Sequence, residues 1–331
     1  MLKINALHWF RADLRVTDNK ALQTAMKEAT QLTSVFIFTP DTWRKHHCSP
    51  RKMQLILDSL ESLARHLAKQ GVSLIIRQCA TYMDSVPALL QLCDELDVSH
   101  LYFNKQYELD EQKRDEIVTE SLSTIDVFCH KFDDQTIVPP GKICNLSGDQ
   151  YKVFTPFKKT WLKEVVASIC QYEPTACSNK KFKFAEKDIS DELPKKITHF
   201  TRFNLSDDHI ACEVMARKML TIFCEEKVAC YHEQRDFPSL TSTSQLSAAL
   251  SIGTLSARQC LKEIIKLTQG DLLNTLQYPG ELTWLSELIW RDFYKHILFR
   301  HPRLCRHKPY KESTDHLPWK TDEKLLLAWQ K

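Results

Sequence analysis

The chain has 331 residues, of which 43% are hydrophobic and 26% are charged, so it is long enough to bury the cores of about two domains. This composition excludes a disordered or low-complexity chain. The 45 Lys and Arg residues exceed the 42 Asp and Glu residues by only three, so a nucleic-acid partner would have to bind a local basic patch.

Residues 1–131 alternate β-rich runs with helical patterns and are predicted to form the first domain. The candidate strands are Ala6 to Phe10, Ser34 to Phe38, Val72 to Arg77, Val98 to Asn104 and Ile125 to Lys131. The clearest helix begins after Ser49, because Ser can cap a helix and Pro50 fits its first turn. This alternation predicts an α/β fold with a doubly wound, Rossmann-like parallel sheet of five strands.

Clusters of Pro, Gly, Asn and Lys follow, and we interpret residues 132–203 as an interdomain connector that crosses the surface. One helix is predicted within it, near Phe157 to Ile169. From residue 204 to residue 331 the periodicity is helical, which predicts a mostly helical second domain. The helices predicted there are Ala211 to Glu225, Gln245 to Ala249, Ala257 to Thr268 and Leu282 to Phe299.

The sequence contains few signals of targeting, metal binding or redox chemistry. No apolar run approaches the about 20 residues that cross a bilayer, and the N-terminus lacks a signal-peptide pattern, so we expect a cytoplasmic chain without a membrane partner. The 12 cysteines include no C-x-x-C pair, so neither a metal site nor a disulfide framework is expected. The six glycines form neither G-x-G-x-x-G nor the P-loop pattern, so a bound nucleotide would need other phosphate contacts.

The last predicted helix is apolar on nearly all sides, so we expect it to be buried. The residues that share an arc of about 120° on it are Trp284, Glu287, Trp290 and Arg291. Two interpretations remain open for this arc. One is an i,i+4 ion pair between Glu287 and Arg291 packed by tryptophans, and the other is a polar spot with indole faces that grips a stacked base.

Two further segments allow both a structural and a binding interpretation. The hydroxyl-rich run from Ser242 to Ser247 opens a helical stretch, where it can cap the helix or hold a phosphate. Between residues 291 and 331, ten Lys or Arg residues stand against five Asp or Glu residues, and tryptophans are frequent. That composition suits a nucleic acid or a flat ligand, and equally a Trp-rich core with a solvated basic rim.

Six motifs occur in order along nearly the whole chain. They are Trp9-Phe10-Arg11-Ala12-Asp13-Leu14-Arg15 with Asp18-Asn19, Phe154-Thr155-Pro156-Phe157-Lys158, Gln234-Arg235-Asp236-Phe237-Pro238, Thr243-Ser244-Gln245-Leu246-Ser247, Leu255-Ser256-Ala257-Arg258-Gln259 and Glu287-Leu288-Ile289-Trp290-Arg291-Asp292-Phe293-Tyr294. At these spacings the chain resembles the cryptochrome/photolyase family, most closely its bacterial class I cyclobutane pyrimidine dimer photolyases.

The resemblance implies an antenna domain, a connector and a helical FAD-binding domain in a monomeric carbon-carbon lyase. The implied activity is the light-dependent repair of cyclobutane pyrimidine dimers in DNA. Excited reduced FAD passes an electron to a dimer that is flipped out of the duplex, the cyclobutane ring splits, and the electron returns. An antenna pigment, methenyltetrahydrofolate, is implied as a second cofactor.

The resemblance also assigns residues to sites. For FAD they are Tyr231, Thr243, Ser244, Gln245, Leu246, Ser247, Trp284 and Arg291. For the antenna folate they are His46, Asp110, Glu111, Cys305 and Arg306. For DNA they are Lys158, Arg235, Glu287, Leu288, Ile289, Trp290, Arg291, Asp292, Phe293 and Tyr294. Glu287 and Trp290 are implied to contact the lesion, and Trp319 to belong to the tryptophan chain that photoreduces the flavin.

The chain departs from the family pattern in ways that limit these expectations. Gln245 stands where the family usually has Arg, so a cationic contact near the FAD phosphates is lost, and Asp110 and Arg306 replace a usual Asn and Lys at the folate site. The resemblance covers roughly the first two thirds of a photolyase, so we expect a C-terminally truncated chain with an incomplete FAD site. The alternatives are a non-catalytic remnant, one half of a split protein, and a blue-light signalling protein.

Overall fold

A sheet of five parallel strands forms the first part of the computed structural model, which describes residues 3–175, 180–183, 212–318 and 320–330. The strands are β1 (Asn5–Phe10), β2 (Gln31–Phe38), β3 (Ser73–Gln78), β4 (His100–Asn104) and β5 (Phe128–Phe132). Their order in the sheet is β3-β2-β1-β4-β5. The predicted α/β fold is confirmed, and each predicted strand overlaps an observed one.

Helices cover both faces of this sheet. They are α1 (Lys20–Glu28), α2 (Pro40–Lys45), α3 (Pro50–Ala68), α4 (Ser85–Glu95) and α5 (Leu109–Ser123). Because side chains alternate along a strand, Ala6 and Phe10 pack with α1 and α3 on one face, whereas Leu7 and Trp9 pack with α4 and α5 on the other. The predicted start of α3 is observed: the backbone N–H of Lys52 donates to Ser49 Oγ at 3.2 Å.

The rest of the described chain is mostly helical, as predicted. Its helices are α6 (Phe154–Ala167), α7 (Glu213–Glu226), α8 (Tyr231–Gln234), α9 (Ser247–Ile252), α10 (Ala257–Leu267), α11 (Pro279–Arg300) and α12 (Glu323–Gln330). Short 3-10 turns lie at Ile169–Tyr172, Val228–Cys230, Pro302–Arg306 and Glu312–Thr314. A single apolar core joins α6, α7, α9, α10 and α11. Across the residues that the structure describes, no helix is both long and apolar enough to cross a membrane.

The segment interpreted as a surface connector contributes to this helical core. Ile137, Val138, Phe157 and Trp161 are fully buried in it. The buried carboxylate of Asp292 on α11 holds the segment in place by accepting the backbone N–H groups of residues 137 and 138 at 3.0 Å. The prediction that this segment crosses the surface is therefore wrong for the part that contains these buried residues. Residues 176–179 and 184–211 lie outside the described residues.

A buried ionic network joins the sheet part to the helical part. Arg258 on α10 contacts Asp18 at 3.0 Å and Asp134 at 2.5 Å, and Arg15 also pairs with Asp134. Burial by itself raises the pKa of Asp134, but the two guanidinium groups outweigh it and hold that pKa well below its usual range. Gly253 lies at the same junction with φ +79°, where a Cβ would sit 2.2 Å from a backbone carbonyl oxygen.

Candidate functional site

A cavity of about 970 Å³ lies between the sheet part and the helical part, at the carboxyl ends of the strands. Its walls include the residues that follow β1 and β2, the first turns of α3 and α5, and parts of α9 and α11. The strand order reverses between β1 and β4, and a crevice at such a reversal is where ligands bind in open parallel sheets. The fold therefore places this cavity at the expected ligand position.

Two arginines and an indole form one wall of the cavity. The guanidinium carbons of Arg11 and Arg114 lie 4.7 Å and 4.6 Å from the ring centre of Trp9. Both arginines share one oxygen of Asp115, at 2.6 Å and 2.9 Å. Within the described part of the chain, Nε and Nη2 of Arg11 have no hydrogen-bond partner. This wall thus carries surplus positive charge and buried donors that an oxygen-bearing ligand could satisfy.

Carboxylates form another wall of the cavity. Tyr82 donates its hydroxyl to Glu111 at 3.0 Å, and burial together with the charge of Glu108 raises the pKa of Glu111. Glu108 itself pairs with Lys295 of α11 at 2.5 Å. That ion pair outweighs the effect of burial and lowers the pKa of Glu108. The carboxyl of Glu111 is therefore biased towards its neutral form, and the carboxyl of Glu108 towards its charged form.

The structure brings four of the five predicted antenna residues to this cavity. His46, Asp110, Glu111 and Cys305 line it, whereas Arg306 is exposed beside it and does not. His46 Nε2 lies 3.3 Å from an Asp110 oxygen. The sequence reasoning had not proposed Trp9, Arg11, Tyr82, Glu108 or Arg114 for this site. The position of Trp9 and Arg11 at the end of the predicted strand β1 was a signal that could have found them.

A second polar cluster lies on α11, outside the cavity. Arg235 Nη1 contacts Glu287 Oε1 at 2.5 Å, and both side chains are about one third exposed, at 32% and 38%. The i,i+4 ion pair between Glu287 and Arg291, one of the two interpretations left open, is therefore wrong. Arg291 instead donates to the backbone carbonyls of Gln135 and Leu250.

Aromatic rings and a lysine surround Glu287. Trp290 stacks on Phe154 with ring centres 3.6 Å apart and on Tyr294 at 5.5 Å. Lys158 donates to the hydroxyl of Ser286, next to Glu287 in sequence. Burial lowers the pKa of Lys158, and the charge of Glu287 acts in the opposite direction. The cluster thus combines an accessible carboxylate, two cations and a half-buried indole.

Four of the predicted DNA contacts on α11 face away from this surface. Leu288, Ile289, Asp292 and Phe293 are at most 4% exposed, and Asp292 accepts hydrogen bonds from two backbone N–H groups and from the indole of Trp161. Their assignment as DNA contacts is therefore corrected: they hold the helix in the core. The expectation that α11 is buried holds for its apolar sides, whereas Glu287, Trp290 and Arg291 are half-buried and Tyr294 is exposed.

The predicted FAD residues divide into a buried and an accessible set. Tyr231, Leu246 and Trp284 belong to the helical core, whereas Thr243 and Ser244 are half-buried and Gln245 and Ser247 are exposed. Helix α9 begins at Ser247, two residues later than predicted, because Gln245 has left-handed backbone with φ 55°. The accessible hydroxyls fit contacts to phosphates. Trp319 lies outside the described residues.

Two family models match the chain. One, described as DNA photolyase, matches residues 6–177, and the other, described as FAD binding domain of DNA photolyase, matches residues 284–331. The deoxyribodipyrimidine photo-lyase of Escherichia coli strain K12 is 37% identical over 98% of this chain and 66% of its own length. That of Salmonella typhimurium is 35% identical over 98% of this chain and 67% of its own length. The chain thus spans about two thirds of the length of these relatives.

Solved structures show the same fold. A bacterial class III photolyase from Agrobacterium tumefaciens has a TM-score of 0.83 at 24% identity, over 99% of this chain and 66% of that chain. An archaeal photolyase from Sulfolobus tokodaii with two FAD molecules has a TM-score of 0.73 at 22% identity, over 98% of this chain and 66% of that chain. At these identities the likeness establishes the architecture alone.

Proposed function

The chain belongs to the DNA photolyase family, and on that premise we propose that it repairs cyclobutane pyrimidine dimers in DNA by light-dependent electron transfer. The observation that carries the proposal is a match to deoxyribodipyrimidine photo-lyases that extends over 98% of the chain. The accessible cluster on α11 supports it, because a carboxylate flanked by cations and an indole suits a flipped base and its phosphates. Both observations favour the enzyme over the non-catalytic alternative.

The residues of the α11 cluster have distinct proposed roles. Glu287 donates or shares a hydrogen bond with the pyrimidine and so stabilises the negative charge that develops on it. Trp290 packs on the lesion with the part of its indole that Phe154 leaves free. Arg235 and Lys158 contact the phosphates beside the lesion.

FAD is the proposed cofactor, held by the accessible hydroxyls of Thr243 and Ser244 ahead of α9. When bound, reduced FAD supplies the electron under light. Tyr231 and Trp284 support this region from the helical core, and Arg291 ties α11 to the end of α9 through the carbonyl of Leu250. Trp319 keeps its proposed role in photoreduction, although it lies outside the described residues.

Methenyltetrahydrofolate is the proposed antenna, in the cavity between the two parts. Its pterin ring would present N–H groups to Glu111, whose raised pKa favours a shared proton. His46, Asp110 and Cys305 line the same cavity, and Arg306 is exposed nearby. A cytoplasmic location, a monomeric state and domain boundaries after residues 131 and 203 belong to the same proposal. The last strand of the sheet ends at Phe132, which supports the first boundary.

Photochemical repair by the purified chain tests the proposed activity. We expect the chain, loaded with reduced FAD and given a thymine-dimer oligonucleotide, to remove the dimer in blue light and not in darkness. Recovery of absorbance at the wavelength of the intact bases measures the repair. Glu287→Ala is expected to lower the repair yield per absorbed photon about 5-fold, because it removes a hydrogen bond that stabilises the pyrimidine charge.

Glu263→Gln is the matched control, because Glu263 forms a separate ion pair with Lys266 on α10. Its repair yield should equal that of the unsubstituted chain. No repair by the flavin-loaded chain would overturn the proposed activity. An unchanged yield in Glu287→Ala would remove Glu287 from the mechanism.

A further inference from the structure

The ion pair between Arg235 and Glu287 occupies groups that the proposed function assigns to DNA. The contact is short, at 2.5 Å, and joins α11 to the residue that follows α8. The hydrogen bond that Arg235 donates to Glu287 is the main reason that the pKa of Arg235 is raised. Both side chains are about one third exposed, so an incoming ligand can reach them.

Other charges around the pair are few among the described residues. Arg235 also lies 3.4 Å from Asp236, whose side chain is 82% exposed, and its guanidinium carbon lies 5.8 Å from the ring centre of Tyr231. Lys158 is close enough for the charge of Glu287 to affect its pKa, but it donates its hydrogen bond to Ser286. Arg235 is therefore the direct partner of the Glu287 carboxylate.

DNA that takes Arg235 away from Glu287 leaves a carboxylate without its partner beside a phosphate backbone. Such a carboxylate is repelled by the phosphates and loses a charge-assisted hydrogen bond. An undamaged duplex offers Glu287 nothing in return, because its base edges stay paired. A flipped thymine offers a ring N–H, which replaces the lost partner.

We propose that the Arg235–Glu287 ion pair is a latch that sets specificity for damaged DNA. The pair opposes the binding of an undamaged duplex, and an extrahelical pyrimidine compensates for opening it. Specificity then arises partly from a penalty on the wrong ligand as well as from attraction to the right one. This inference rests on the proposed function, and Arg235 acts in it as a specificity-determining residue.

DNA affinities of paired variants test the latch. The ligands are one duplex with a single thymine dimer and the same duplex undamaged, measured in darkness at one salt concentration. We expect Glu287→Gln to tighten binding of the undamaged duplex about 3-fold, because Arg235 becomes free for phosphate. In an Arg235→Gln background, the same substitution should give a smaller gain, because it relieves only the repulsion between the carboxylate and the phosphates and frees no arginine.

Two controls separate the latch from a general change in charge. Glu263→Gln removes one negative charge from the distant ion pair on α10 and should not change the affinity for undamaged DNA. Glu287→Asp keeps the charge and should preserve part of the discrimination. An unchanged affinity in Glu287→Gln would overturn the latch, and so would an equal gain in the Arg235→Gln background.

The proposed function fails in a different way. If the unsubstituted chain distinguishes the two duplexes but removes no dimer in blue light, the proposed activity is lost while dimer recognition remains. The effect of Glu287→Gln on undamaged DNA still decides whether the pair acts as a latch.

Discussion

His8 is fully buried on β1, and burial together with the charge of Arg11 lowers its pKa to about 3. In the unfolded chain the pKa is about 6.5. Above pH 6.5 the histidine is neutral in both states, so it has no effect on stability. As the pH falls below 6.5, the unfolded chain binds a proton that the folded chain cannot bind, so the free energy of unfolding decreases.

We therefore expect His8→Gln to reduce the pH dependence of stability. Urea unfolding between pH 6.5 and pH 5 should show a smaller slope in the variant, by up to about 1.4 kcal/mol per pH unit. The slope is the relevant measurement, because a change in packing would shift the free energy equally at every pH. His130, His296 and His301, whose pKa values burial also lowers, should maintain the remaining slope. Identical slopes would contradict the prediction.

Residue partners were the part of the site that the sequence predicted least well. Helical spacing suggested that Glu287 pairs with Arg291, because these residues are neighbours on one helix. The observed partner, Arg235, is 52 positions away in sequence and reaches Glu287 only because α8 packs against α11. Helical periodicity cannot predict a contact between segments so far apart in sequence. The resemblance to the photolyase family, in contrast, implied that both residues contact DNA.

At the scale of elements, α11 depends on one buried carboxylate for its position. Asp292 accepts hydrogen bonds at 3.0 Å from two backbone N–H groups of the 137–138 segment and from Trp161 Nε1 of α6. Asp292→Asn replaces one acceptor oxygen with a donor that faces these donors. We expect the free energy of unfolding to fall by about 2 to 4 kcal/mol, because the buried donors lose their acceptor.

Urea unfolding followed by circular dichroism measures this loss. Glu281→Gln is the control, because Glu281 lies in the first turn of the same helix and is only half-buried. It should change the free energy of unfolding by no more than about 0.5 kcal/mol. Equal stabilities of Asp292→Asn and the unsubstituted chain would show that other contacts position α11.

Element boundaries followed local signals where those signals were strong. Alternation of β-rich runs and helices gave the strands of the sheet, and Ser49 with Pro50 gave the start of α3 within one residue. The Pro- and Lys-rich segment was misjudged, because Ile137 and Val138 enter a core built mainly from distant helices. The late start of α9 depends on the left-handed backbone of Gln245, which a side-chain pattern does not reveal.

At the scale of the whole molecule, the cavity is built from both parts of the chain. Glu111 comes from α5 in the sheet part, whereas Leu250 comes from α9 and Cys305 from the turn after α11 in the helical part. The buried network around Arg258 fixes the two parts against each other. Family motifs in the sequence predicted individual residues of this site. That these residues come together in one cavity follows from the strand order and from the packing of the two parts against each other.

A ligand in this cavity should stabilise both parts together, because it contacts both. We expect methenyltetrahydrofolate at about 100 times its dissociation constant to add about 2.7 kcal/mol to the free energy of unfolding, which raises the melting temperature by roughly 5 °C.

Glu111→Gln should weaken binding about 10-fold, because a carboxyl that shares a proton with the pterin is replaced by an amide. Folate fluorescence gives the affinity, and circular dichroism gives the melting temperature. Glu116→Gln on the exposed side of α5 is the matched control and should bind as the unsubstituted chain does. Equal affinities of the Glu111 and Glu116 variants would place the folate elsewhere, because of these two residues only Glu111 lines the cavity.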